Sequence, residues 1–557
     1  MATLVICVPP GAAAVKGTAL VDGTAVSGAA VRPTRSPWAI LIVVSLGFFM
    51  TLLDLTIVNI AIPNMITKLH ASLDDILWVI NAYALVLAVL LITAGRLGDL
   101  LGQRTMFFAG VALFTAASAA CGFAPSPGYL IAFRAIQGLG AAILMPQTLA
   151  ILTMVFPPDR RGAAFGVWGA VAGVATIAGP TLGGLLVTAF DWRYIFFINL
   201  PIGVVVLILT VIIIPDLRTG REHSFDITGI VLASLSLLAI CYALVEGQKY
   251  DWGTVKSFIS IPLIFAVGVV LFAAFLWLQA SRQSGEPLVP FALFKDRNYS
   301  LMNMVSAFLS IGMLGIFLPF TIYLQSVLGF SALKAGLTMA PASLVSMFVA
   351  PVAGQLTDRI GGKYILMLGL VLFGAGMGAL ALIAQPTSAW YDFLAPQAVA
   401  GIGIGCTFPP MTTVAMRNVN PMMAGAASGV LNTTRQVGTV IGTAGVGALL
   451  QNRLLAGFTS QVQQRAAHLP ASARQHLLTG FQSAAKGGME VGSGHSTTGL
   501  AGQIFTHGFV QAMRPTILVP IVFIFAAAAG CVFIKRRARA GAGAVSEMTE
   551  PTASAAG

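Results

Sequence analysis

Apolar residues run along this chain in long unbroken stretches, and polar residues gather in the short gaps between them. About 20 apolar residues coiled as a helix, at 1.5 Å each, match the hydrocarbon thickness of a bilayer. The pattern predicts fourteen such helices, over 37–62, 76–95, 104–123, 129–155, 162–190, 194–214, 227–246, 258–279, 300–324, 332–356, 363–384, 390–416, 424–453 and 512–534. The fifth is unusual. GVATIAGPTLGG, from Gly173 to Gly184, places glycines and a proline inside an apolar run. Both residues normally weaken a helix interior. A bilayer helix tolerates them where a neighbour packs closely and re-satisfies the backbone. Gly173, Gly179, Pro180, Gly183 and Gly184 are therefore expected to form a bend and contact surface at a moving interface.

Composition agrees: of 557 residues, 57% are hydrophobic and 9% charged, which excludes a soluble domain. Lys and Arg set the orientation. With the first tail in the cytoplasm, cytoplasmic segments hold nineteen of them, and short external loops hold five: Lys68, Arg193, Lys249, Lys256 and Lys334. Both termini are thus expected inside, in a multi-pass protein of a bacterial plasma (inner) membrane. The net charge of +12 is spread along membrane faces, so no nucleic-acid partner is expected. The five cysteines are scattered, without disulfide or metal spacing. Residues 1–36 read as a disordered cytoplasmic tail and 535–557 as a second tail, while 454–511 reads as one sizeable external loop able to form short amphipathic helices.

Two halves of the sequence repeat. GRLGDLLGQR (Gly95–Arg104) matches GQLTDRIGGK (Gly354–Lys363), RAIQGLGAAILMP (Arg134–Pro146) matches QAVAGIGIGCTFP (Gln397–Pro409), and GAAFGV (Gly162–Val167) matches GAASGV (Gly425–Val430). Parallel repeats of this kind build transporters from two bundles with a substrate site between them. The expected fold is an all-α integral membrane protein: a six-helix bundle over 37–214, two inserted helices and a linker over 215–299, and a second six-helix bundle over 300–534. The halves also differ. Arg134 aligns with Gln397 and Asp54 with Pro319, so ion coupling is assigned to the first bundle.

Asp54 is the one acidic residue well inside an expected span. A charge there costs roughly 2.5–3.5 kcal/mol on insertion scales and usually marks a relay or cavity. Burial also raises a carboxyl pKa toward neutrality, and no histidine lies as deep. Arg134, permanently charged, is its expected partner, and Gln137, one turn on, completes the cluster; direct and water-mediated contact both remain open. Arg435, with Asn432 and Gln436, forms a second deep polar cluster, structural or substrate-facing. Two deep cations against one deep acid predict neutral, weakly charged or anionic amphipathic substrates. The aromatic residues Tyr83, Trp168, Phe308, Phe317, Tyr323 and Phe408, with Asn59, are candidates for an adaptable cavity.

Together these residues resemble the fourteen-helix drug:proton antiporters of the major facilitator superfamily. LDLTIVNIAIP (Leu53–Pro63) resembles the family's first-helix motif, GRLGDLLGQR its cytoplasmic loop motif, RAIQGLG its fourth-helix motif, AGPTLGG its antiporter motif, and LNTTRQVG (Leu431–Gly438) a stretch of its late helices. The resemblance spans Trp38 to Gly445. It implies outward export driven by the proton-motive force, with protons as coupling ion and no bound cofactor or metal. It also implies a cytoplasmic gate of Gly95, Asp99, Gly102 and Arg104, echoed by Asp358 and Arg359, in which Asp99 meets a neighbouring helix end. Gln103 stands where a second basic residue is common, so the gate is expected to be weaker. No GxxxxGK[ST] loop or catalytic constellation occurs, which argues against ATP drive and against an enzyme. The implied partners are a small amphipathic substrate and the bilayer, with a monomer sufficient and a cell-envelope partner open. An exporter of an endogenous lipid, siderophore or secondary metabolite is the alternative.

Overall fold

The computed structural model describes residues 36–69, 71, 73–216, 226–247, 250, 252–256, 258–283, 287–465, 470–486 and 499–535. The two expected tails lie outside this range apart from Ser36 and Lys535. Fourteen long helices run in chain order: α1 (Pro37–Leu69), α2 (Leu73–Leu101), α3 (Gln103–Gly122), α4 (Pro127–Val155), α5 (Arg161–Ala189), α6 (Tyr194–Ile213), α7 (Ile227–Glu246), α8 (Ile261–Ser281), α9 (Arg297–Ile322), α10 (Ala332–Ile360), α11 (Gly362–Ile383), α12 (Trp390–Met416), α13 (Ala424–Arg465) and α14 (Gly499–Gly530). Among the described residues, twelve helices are long and apolar enough to cross a membrane. α5 packs against α1 in the first half, and α13 against α9 and α14 in the second. Asn432, Thr433, Thr434, Arg435 and Gln436 follow one another on α13, and that polarity lowers its hydropathy.

Polar residues at the gaps start the helices. Asp226 caps α7 by accepting from Gly229 N (2.9 Å). Asp296 caps α9 by accepting from Asn298 N and Tyr299 N at 2.7 and 3.0 Å, and Ser331 caps α10. These groups satisfy N–H donors that a helix start leaves open. The tightest turns mirror one another. Gly102, with φ +94°, is the sole residue between α2 and α3, and Gly361, with φ +88°, is its counterpart between α10 and α11. Glycine adopts this left-handed conformation without a Cβ penalty.

The first half packs α2 and α3 against α4, and α1 against α5; the second packs α9 against α13 and α14, and α11 against α12. Two helix pairs join the halves: α5 with α10, and α2 with α13. The inserted α7 and α8 form a hairpin that leans through α7 on α2 and α13. Its outer helix α8 leaves Val270 and Trp277 exposed at 66% and 74%, as expected of side chains that meet acyl chains rather than water.

The segment expected as an external loop, 454–511, is largely helical. α13 continues to Arg465, α14 already begins at Gly499, and a further helix, Ala471–Lys486, lies against α13. Phe458 stacks near Phe481 and Phe505, beside a small core of Val462 and Ile504. These apolar positions, spaced by helical turns, account for the continued helices.

Candidate functional site

Asp54 lies in the middle of α1 and is fully buried. Arg134 on α4 reaches it directly, its Nη1 donating to Asp54 Oδ2 in a salt bridge. Helical spacing places Gln137 one turn along α4, where its Nε2 donates to Asp54 Oδ1 at 2.9 Å while its Oε1 accepts from Arg134 Nη1 at 2.7 Å. The question left open by the sequence is thus resolved toward direct contact.

Two further residues complete the cluster. Asn199, at the interruption of α6, points Nδ2 at Asp54 Oδ1 (3.4 Å) and at Ser118 Oγ (3.1 Å). Ser118 on α3 also accepts from Gln137 and donates to the Phe196 carbonyl. Asn199 had a visible signal, an amide inside the apolar run YIFFINLP; Ser118, between alanines, had none. Arg134 is further held by the Val79 carbonyl (3.1 Å) and by the Tyr83 ring, 4.3 Å from its guanidinium carbon. Tyr83 was expected to line a substrate cavity. It is fully buried instead and belongs to this cluster, because a flat electron-rich face stabilises a desolvated guanidinium.

Chemically, the cluster holds one ionisable acid among a fixed cation and neutral amides. A buried ion pair persists only when its remaining hydrogen-bonding capacity is met, and here three side chains donate to the carboxylate. Asn199 Oδ1 is buried without a partner. An amide can exchange its donor for its acceptor by rotation, so Asn199 can serve Asp54 as carboxylate or as carboxylic acid.

The repeated motifs meet crosswise. Asp99, at the end of α2, accepts from Gly425 N and Ala426 N (both 2.8 Å) at the start of α13. Asp358, near the end of α10, accepts from Gly162 N (2.8 Å) and Ala163 N (2.9 Å) at the start of α5. Each half's acid thereby caps the other half's GAA-GV helix, and the negative charge sits at the positive end of the helix dipole. Gly95 lets the backbones of α2 and α13 touch, since a Cβ there would meet Gly425 and Gly429 backbone atoms. Gln103, expected to weaken this contact, donates to Asp99 Oδ1 at 3.0 Å.

Arg104 donates to the Val211 carbonyl of its own half (2.8 Å), and Arg359 is exposed. Two cross-half contacts were not visible in the sequence. Arg161 donates to the Met416 carbonyl (3.1 Å) as well as to Phe156 and Thr153, and Ser428 donates to the Pro146 carbonyl (2.8 Å). Both partners are backbone carbonyls, which no motif marks.

α5 is continuous through the glycine-rich segment. A Cβ on Gly173 would meet the Ser343 carbonyl of α10 at 2.9 Å, one on Gly179 would strike Thr56 of α1, and Gly183 is buried. Gly184 faces open space, so it is not part of the contact surface. The Pro180 and Asn59 side chains lie outside the described residues.

Other cavity candidates divide. Trp168 is buried and stacks on Phe48 at 4.1 Å. Phe308 meets Phe523 of α14 edge-on, and Tyr323 is buried against Phe320 and Phe393 with its hydroxyl on the Gln385 carbonyl. Tyr323 is therefore a packing residue of the second half, whereas Phe308 is half-buried; aromatic rings fill gaps between helices as readily as they line a site. Phe317, Phe408 and Gln436 are half-buried. Asn432 donates to the Ser428 carbonyl (2.9 Å) and accepts from Arg435 Nη2 (2.9 Å).

Residues 44–443 match the family model of the Major Facilitator Superfamily. The uncharacterized MFS-type transporter Rv1250 of Mycobacterium tuberculosis is 38% identical over 425 residues, 76% of this chain and 72% of the relative. The tetracenomycin C resistance and export protein of Streptomyces glaucescens is 36% identical, covering 77% of this chain and 79% of its own. The multidrug resistance protein Stp of M. tuberculosis is 35% identical, with 80% and 81% covered. Two solved structures share the fold at low identity. The human organic anion transporter MFSD10 has a TM-score of 0.52 at 14% identity, covering 88% of this chain and all of its own. The proton:xylose symporter XylE has a TM-score of 0.53 at 12%, with 88% and 95% covered. With the crosswise repeat, a family match over most of the length and relatives above one-third identity, the chain belongs to the Major Facilitator Superfamily and is a membrane transporter rather than an enzyme.

Proposed function

We propose that this protein exports amphipathic small molecules, drugs among them, by alternating access coupled to inward proton flow. The observation that carries the reading is Asp54, a fully buried acid in the membrane-embedded part of the first half, paired with Arg134 and surrounded by amides. The relatives named for tetracenomycin C resistance and export and for multidrug resistance support the outward direction and the substrate class.

In this cycle substrate loads from the cytoplasm or inner leaflet while Asp54 is ionised. A proton from outside neutralises Asp54 and releases Arg134 from its counter-ion, and substrate leaves outward. The proton then exits inward as the halves rock back. Asp54 and Arg134 are sealed inside the first half, at 0% and 1% exposure. Substrate and proton therefore do not compete for one ligand; the cluster acts by changing how α1, α3, α4 and α6 pack. The crosswise caps hold the end carrying Asp99 and Asp358 shut, and charge bias along the sequence assigns that end to the cytoplasm. One charge crossing about 100 mV supplies ~2.3 kcal/mol, a neutral-substrate gradient of about fiftyfold.

A second reading, export of an endogenous secondary metabolite, is supported by the relatives named for tetracenomycin C and actinorhodin. Both readings share the mechanism. The test is drug-dependent proton movement in reconstituted vesicles, wild type against Asp54→Asn. Loss of coupled movement in a folded variant supports Asp54 as carrier, whereas unchanged coupling removes it from that role.

A further inference from the structure

Arg435 carries a charge that the proton cluster does not use. It sits on α13, three residues beyond Asn432, and its side chain's one hydrogen bond among the described residues is from Nη2 to Asn432 Oδ1 at 2.9 Å. No carboxylate among the described residues pairs with it. Arg134, by contrast, is committed to Asp54.

The placement of Arg435 follows from helix geometry. Residues seven apart lie on nearly the same face, two turns along. Ser428, seven residues before Arg435, donates to the Pro146 carbonyl on α4 of the opposite half. Arg435 therefore lies two turns along α13 from that cross-half contact, and Asn432 links the two residues by hydrogen bonds. The side chain is half-buried: it keeps an open side.

Its orientation is built. Asn432 Nδ2 donates to the Ser428 carbonyl (2.9 Å) and lies 3.3 Å from Ser428 Oγ. This directs Asn432 Oδ1 toward Arg435 and fixes one edge of the guanidinium, leaving the other donors for a guest. A planar guanidinium with free donors matches a carboxylate or similar oxyanion in two parallel hydrogen bonds.

We propose that Arg435, positioned by Asn432, is the recognition point for the anionic group of the substrate, so that the preferred cargo is an amphipath bearing one carboxylate or comparable oxyanion. The inference rests on the export reading and names its substrate class. It places cation recognition of substrate in the second half, opposite the proton cluster of the first, and it disfavours permanently cationic drugs, which would meet Arg435 with no acid beside it.

Three xanthene dyes of similar size serve as probes: fluorescein as the anion, its neutral ester and ether derivative, and rhodamine 123 as the cation. Binding to the purified full-length protein is read by fluorescence anisotropy, and transport is read in reconstituted vesicles under a proton gradient. Wild type is expected to bind fluorescein about tenfold or more tighter than rhodamine 123, a difference of one charge-assisted contact. Arg435→Gln should remove that preference while leaving the neutral dye within about twofold, and Arg435→Lys should retain part of it. Equal loss for all three dyes, or an unchanged anion preference in Arg435→Gln, overturns the proposal and leaves Arg435 a packing residue. Anion binding that depends on Arg435 without proton-driven transport of any dye would retain the site and overturn the export reading. Transport without anion preference would do the reverse.

Discussion

Asp99→Asn tests whether the crosswise caps hold one end of the transporter shut. Asp99 accepts two backbone N–H bonds at 2.8 Å from the start of α13 and a third bond, 3.0 Å, from Gln103, in a buried site. Asparagine removes the charge and turns one accepting oxygen into a donor that faces an N–H. Hydrogen bonds to a charged group contribute about 1.5–3 kcal/mol each, and the helix N-terminus adds a favourable term of about 0.3–1 kcal/mol. The substitution should therefore remove about 2–3 kcal/mol from the closed state, a shift of about 30- to 150-fold in the ratio of closed to open. A closed population near 99% would fall to about 40–77%. Asp358→Asn breaks an equivalent pair of bonds at 2.8 and 2.9 Å, but at a half-buried site, where solvent screening reduces the effect to about 1–2 kcal/mol. Spin labels at Leu101→Cys and Met422→Cys, exposed at 44% and 42% on the two sides of the contact, report the separation by pulsed electron resonance. A longer-distance population should appear in Asp99→Asn and, more weakly, in Asp358→Asn. Identical distance distributions in all three proteins would refute the reasoning.

Three further outcomes follow from the same contacts. Arg134→Gln leaves Asp54 buried without its counter-ion, which costs about 3–5 kcal/mol, so its melting temperature in detergent should drop below that of the Asp54→Asn/Arg134→Gln double variant. Gly95→Val should abolish export with the protein still inserted, because its side chain meets backbone of α13 that cannot yield, whereas Gly184→Ala, facing open space, should leave drug-accumulation assays unchanged. With the membrane potential clamped by potassium and valinomycin, export of an anion in exchange for one proton should respond to two charges, about 4.6 kcal/mol per 100 mV, against about 2.3 for a neutral molecule; equal potential dependence would contradict a one-proton exchange.

Much of this molecule was legible in its sequence for a simple reason. A bilayer offers no water to backbone groups, so long apolar runs must be helices, and the placement of most helices could be read directly. The same scarcity made Asp54 and Arg134 conspicuous, since a charge in such a run demands a purpose. Where water returns, the reading was coarser: 454–511 looked like a loop able to form short amphipathic helices, and its sparse apolar positions suffice to continue α13 and α14 as helices. Aromatic candidates fared poorly as well. Tyr83 and Tyr323 both proved to be fully buried in packing, because a ring carries no record in the sequence of which neighbour it faces.

The repeat shows where sequence ends and tertiary structure begins. The chain alone established that GRLGD and GQLTD correspond, and that GAAFGV and GAASGV correspond. It could not show that each acid caps the opposite half's helix rather than its own. That pairing joins residues more than 190 positions apart and depends on how two bundles dock, a matter of surface fit and not of local propensity. The same holds for Asn199, which becomes a partner of Asp54, and Ser118, which bonds Gln137 and Asn199, only because α3 and α6 pass beside α1. Residue type and spacing fixed which groups were costly to bury; only the packing of helices decided which of them would meet.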